Sequence, residues 1–218
     1  MKKLYLKLAL TIFLLFGATL SSQASLIVSG DGTETCVNGT PLVAGSCSIQ
    51  TITPHNAWQT ISPLGNGALW ISYANTGIGG DTLAPPSGTD VVFSVLESFY
   101  VSAGSKLSLD VWADDTAEVF IGGTSVYSPN FTQSTCANGP IGCQPNENGH
   151  IDYTFSSAGL FDLKFDVYQV GTGTTVDSNP FGLLYSGTLT SVPEPSIIAL
   201  FGLGLAGLGF AACRRRQS

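Results

Sequence analysis

Basic charge is almost missing from the middle of this chain. Only Lys106 and Lys164, of eight Lys and Arg in 218 residues, lie between Ser25 and Ser191, against fourteen of the fifteen carboxylates, giving that segment a net charge of −12. Nucleic acid is thereby excluded as a partner, because phosphate backbones need a basic footprint. An acidic surface instead fits solubility and repulsion between copies, or divalent cations. Histidine is scarce too: His55 and His150 are the only two, far apart and each beside turn residues. The chain has no Gly-x-Ser-x-Gly elbow, no His-Glu-x-x-His and no phosphate-cradling glycine loop, so serine hydrolase, zinc protease and nucleotide chemistry lack a motif. The expectation is a protein that is not an enzyme; a glycosidase-type carboxylate pair, which any two of fourteen acids could form, is the less favoured alternative.

Long apolar runs are confined to the two ends. Lys2, Lys3 and Lys7 precede an apolar core from Leu8 to Gly17, and Ser22-Gln23-Ala24 forms a small-x-small cleavage site. This pattern predicts a secretory signal peptide over 1–24, cut between Ala24 and Ser25. At the other end, Ile197 to Cys213 is uncharged and mostly apolar, and Arg214, Arg215 and Arg216 follow. Such a helix is roughly 25 Å long at 1.5 Å per residue, enough to span a membrane with slight local thinning. The arginines hold its C-terminus in the cytoplasm, which places everything before it on the far side. Pro193 and Pro195 keep Glu194 in an extended, accessible stalk. Pro193-Glu194-Pro195, the short glycine-rich apolar helix and the arginine cluster together resemble a PEP-CTERM sorting signal. The resemblance implies export across the inner membrane of a Gram-negative bacterium, transient anchoring, and processing by an exosortase near Pro193–Pro195. It also implies association with exopolysaccharide and biofilm at the cell surface or beyond it.

Helical periodicity is absent between the two signals; the segment reads as strands. Lys106 to Asp114 alternates, with Leu107, Leu109, Val111 and Ala113 on one face and Lys106, Ser108, Asp110, Trp112 and Asp114 on the other. Leu160 to Val170 does the same, with Phe161, Leu163, Phe165 and Val167 opposing Asp162, Lys164, Asp166 and Tyr168. A period of two with one apolar face means antiparallel sheet, packed on one side and wet on the other. Further strands are expected in Ala68–Tyr73, Asp90–Val101, Ala117–Ile121, His150–Ser156 and Leu183–Ser191, between turns rich in Gly, Asn, Ser and Pro. The economical fold is all-β: a single antiparallel β-sandwich of jelly-roll type over 25–191, flanked by the signal peptide 1–24 and the sorting segment 192–218, whose transmembrane helix covers 197–213.

Four of the five cysteines, Cys36, Cys47, Cys136 and Cys143, lie in that segment. An even count in an exported domain predicts two disulfides. Three connectivities are possible, and the local one, Cys36 to Cys47 with Cys136 to Cys143, is favoured because both loops are short. No Cys-x-x-Cys or nearby histidine completes a zinc set.

The hairpin from Trp112 through Asp114-Asp115 to Gly122-Gly123 resembles one found in galactose-binding-like sandwiches. Trp58 with Ala68–Ser72 resembles the first strands of that domain, and Tyr168–Val170 with Phe181–Tyr185 its closing strands. The resemblance implies a carbohydrate-binding-like sandwich, and the expected role is a non-catalytic interaction module; a purely structural or adhesive envelope subunit without a specific ligand is the alternative. If a sugar is bound, Trp112 and Tyr168, on the outward register of their strands, are the stacking candidates, whereas Trp58 and Trp70 belong to the core. Asp114, Asp115 and Glu118 form the one dense acidic cluster and could supply part of a calcium shell; a capped turn, with Asp114 or Asp115 bonded to the loop backbone, is the favoured alternative. The expected partners are therefore exosortase, exopolysaccharide or other envelope components, and the membrane before processing.

Overall fold

The computed structural model describes residues 23–38, 43–44, 47–61, 64–85, 88–132, 141–192, 204 and 207. Residues 1–22 of the expected signal peptide, the Pro-Glu-Pro stalk, nearly all of the apolar tail, the arginines and Cys136 lie outside these residues, whereas Gln23 and Ala24, at the expected cleavage point, begin the first strand. Among the described residues no helix is long and apolar enough to cross a membrane. Ala24–Thr190 forms one compact unit.

Among the described residues twelve strands follow in chain order: β1 (Gln23–Val28), β2 (Thr35–Asn38), β3 (Val43–Ala44), β4 (Gln50–Thr51), β5 (Ile71–Ser72), β6 (Phe93–Val101), β7 (Lys106–Asp114), β8 (Thr116–Ile121), β9 (Thr124–Tyr127), β10 (Gly149–Thr154), β11 (Gly159–Tyr168) and β12 (Gly182–Ser191). They make two six-stranded sheets. The first runs β10-β7-β12-β5-β4, with β1 also on β12; the second runs β3-β2-β6-β11-β8-β9. Every pair with a defined register is antiparallel, the longest being β6 on β11 and β7 on β12.

Alternation along these strands makes the interior. Leu107, Leu109, Val111 and Ala113 of β7, with Leu183, Tyr185 and Leu189 of β12, face Leu163, Phe165 and Val167 of β11 and Val119 and Ile121 of β8 in one apolar cluster, with every side chain nearly or fully buried. Removing these faces from water is the main force holding the sheets together, at about 25 cal/mol per Å² of apolar surface. Phe165 and Tyr185 stack across the layers with ring centroids 4.4 Å apart.

A second, smaller cluster lies on the outer face of the β7–β12 sheet. Val28, Ile52, Trp58, Ala68, Trp70, Trp112, Cys143 and Leu184 pack there. The segments around 52–70 and 141–147 thus roof one end of a face that alternation alone predicts to be wet. Over Ala68–Tyr73 only Ile71 and Ser72 form a strand; Trp70 O carries the β4–β5 register one step further by accepting from Ile52 N at 2.9 Å, and Leu69 N turns instead to Ser29 O at 2.8 Å.

Candidate functional site

Cys36 and Cys47 are joined by a disulfide with Cα atoms 5.3 Å apart. It ties β2 of one sheet to the segment entering β4 of the other. Cys143 is likewise disulfide-bonded.

Of the acidic cluster, Asp114 and Asp115 lie together and Glu118 lies apart. Asp114, at the end of β7, is buried on the outward side, where Trp58 Nε1 donates to its Oδ2 at 2.8 Å. Burial and the adjacent Asp115 carboxylate, which also hydrogen-bonds to it, push its carboxyl well above the usual range. Asp115 is equally buried, and its Oδ2 accepts from Val170 N at 2.7 Å and Gly171 N at 2.5 Å. It therefore fastens the loop after β11, the capped-turn role. Glu118 stands apart: its carboxylate accepts from Ser125 Oγ at 2.6 Å and faces Tyr168, because two residues along β8 return a side chain to the outer face of the other sheet. Among the described residues no group of three or more His, Cys, Asp or Glu could hold a metal.

The stacking candidates require a correction. Trp112 and Tyr168 do lie on the outward register, yet they are only 4% and 5% exposed. Trp112 is roofed by the Trp58–Trp70 segment, and Tyr168 by Phe131, whose ring meets it edge-on at 5.0 Å. Neither offers a ring face to a sugar. Trp58 and Trp70 are buried as expected, 4.3 Å apart between centroids. His150 sits near the start of β10, within the expected strand His150–Ser156, with Nδ1 2.7 Å from Asp110 Oδ1. In the segment 31–34, Asp31 Oδ1 accepts from Thr33 N and Oγ1 at 2.9 and 2.7 Å, a local turn.

The exposed aromatic that sequence reading missed is Tyr100. It lies on the outward register of β6, directly opposite Leu160 of β11, and the two are 68% and 70% exposed. One rung further, Ser98 Oγ donates to Asp162 Oδ1 at 2.5 Å, both residues exposed. The next rung brings Leu96, Lys164 and Phe120 together, the ammonium 4.1 Å from the Phe120 centroid and 2.7 Å from Asp166 Oδ2. Apolar and polar rungs thus succeed one another down an open sheet face.

On the inner side of the same strand lies an acid. Glu97 is buried between the sheets, and Tyr185 OH of β12 donates to its Oε2 at 2.9 Å. Burial, with Asp31 and Glu34 adding to it against the Tyr185 hydrogen bond, raises its carboxyl to about 7.

Residues 191–216 match the family model of the PEP-CTERM protein-sorting motif. The tail is a PEP-CTERM sorting motif. Such a motif marks a secreted protein sorted to the cell surface with an exosortase. No curated protein matches the chain. Among solved structures, a family 35 carbohydrate binding module from Clostridium thermocellum is 10% identical, with a TM-score of 0.40 over 77% of this chain and 99% of that one. A family two carbohydrate esterase from Cellvibrio japonicus is 12% identical, at 0.36 over 80% and 36%. The CBM36-1 domain of a xylanase from the hindgut metagenome of Trinervitermes trinervoides is 9% identical, at 0.33 over 79% and 99%.

Proposed function

We propose that this protein is a non-catalytic interaction module of the cell surface or extracellular matrix of a Gram-negative bacterium, delivered by a signal peptide ending at Ala24 and held only transiently by the helix 197–213. The jelly-roll-type sandwich over 25–191 is the part that works, and exopolysaccharide in a biofilm is its partner. The observation that carries this reading is the sorting motif at 191–216, which supports an address outside the inner membrane. Strand alternation and both apolar clusters lie wholly within Ala24–Thr190, so the delivered domain brings its own core. The test is saturable retention of the Ser25–Ser191 domain by the host's own exopolysaccharide.

A calcium ion at Asp114 and Asp115 is a second reading, favoured by two carboxyl groups buried side by side while neither lysine of the domain reaches Asp114. Lys164 pairs with Asp166, and Lys106 begins the nine-residue strand that Asp114 ends, roughly 26 Å away at 3.3 Å per residue. The donors are carboxylate oxygens, which suit a hard cation; Glu118 is outside the set. Millimolar calcium should then raise the melting temperature over that in chelator, with Asp115→Asn abolishing the difference. An unchanged melting temperature removes the ion from the account.

A further inference from the structure

We infer that the open half of the β6–β11 outer face, centred on Tyr100, is the glycan-binding surface, and that its ligand is a neutral polysaccharide chain. This rests on the interaction-module reading above and names the place and the ligand class. Three observations meet there. Tyr100 and Leu160 form a directly opposed cross-strand pair, and both are more than two-thirds exposed in a domain whose other aromatic rings are largely packed inside. An exposed ring face with an aliphatic neighbour is what the apolar face of a pyranose needs, since the ring carries its hydrophobic surface in one plane. The adjoining rung supplies hydrogen bonds: Asp162 accepts from Ser98 through one oxygen, and its exposed carboxylate has further acceptor positions for sugar hydroxyls. Side chains on one face of a strand recur about every 6.8 Å, so the Tyr100, Ser98 and Leu96 rungs lay stacking and bonding groups along a line, as a chain ligand requires and a single ring does not.

Charge selects among ligands. Fourteen carboxylates against two lysines repel an anionic polymer or an anionic lipid surface, and Lys164 beside the patch is already engaged by Asp166 and the Phe120 ring. A protein partner fits less well. One tyrosine and one leucine bordered by a carboxylate lack the broad apolar centre of a stable protein interface.

The experiment is affinity electrophoresis of the Ser25–Ser191 domain through gels containing dextran, galactomannan, alginate or the host's exopolysaccharide, with melting temperature as the control for folding. Retardation by at least one neutral polymer and none by alginate is expected. Tyr100→Ala should weaken it roughly tenfold, as loss of a central aromatic contact does, and Tyr100→Phe should preserve it. Retardation that Tyr100→Ala and Leu160→Ser leave unchanged overturns the placement while the interaction-module reading stands. Preference for alginate overturns the ligand class. Absence of retardation in every gel overturns both. A wild-type dimer in solution that Tyr100→Ala turns into a monomer makes the face an interface between copies and overturns the inference.

Discussion

Glu97 occupies an inward position of β6, where its neighbours Val95 and Phe99 are apolar, and it spans the layers to Tyr185. A carboxyl raised from 4.5 to about 7 holds its proton more tightly in the folded state. Its contribution is therefore fully present below about pH 4.5 and is lost as pH rises through about 7, by an amount on the order of 3 kcal/mol at 1.36 kcal/mol per unit. Urea unfolding at pH 5 and pH 8 should show wild-type stability falling between the two, with a smaller fall for Glu97→Gln, whose amide oxygen still accepts from Tyr185. An equal fall in both proteins would rule Glu97 out as its source. The same alternation that places Glu97 inside places Tyr100 outside, so both were legible in the run Phe93-Ser94-Val95-Leu96-Glu97-Ser98-Phe99-Tyr100-Val101 once its register was followed. Burial of Trp112 and Tyr168 was not, because roofs made by distant loops leave no mark on the strand they cover.

At the level of elements, β7 falls on Lys106–Asp114, where the hydrophobic pattern alone puts a strand, and β11 on Gly159–Tyr168, starting one residue before and ending two before the Leu160–Val170 that the pattern gives. Both are long and alternate cleanly in sequence, the condition under which period two is decisive, although the last four residues of each are buried on both faces. The short pieces β2 to β4 escaped that reading, since two to four residues cannot display a period. What holds them is a covalent link and edge pairing. Closing an eleven-residue separation between Cys36 and Cys47 restricts the unfolded chain by about 3 kcal/mol in the loop-entropy account. The double variant Cys36→Ala/Cys47→Ala should lose a comparable amount in chemical unfolding without losing the sandwich, because β6, β7, β11 and β12 carry the main cluster. Loss of all cooperative unfolding would mean that the staple, not the core, holds the fold.

For the molecule as a whole, address and work are separate. The tail was readable because proline chemistry, an apolar run and arginines are local features of sequence, and the sorting motif covers 191–216. The proposed binding surface was less readable, because it is assembled from β6 and β11, whose paired residues Tyr100 and Leu160 are sixty positions apart. The net charge of −12 over Ser25–Ser191 repels polyanions from the domain surface. Retention of the Ser25–Ser191 domain by the host's purified exopolysaccharide, measured as a function of polymer concentration, tests the central claim most directly. The account predicts saturable retention; mobility unchanged at every concentration would contradict it.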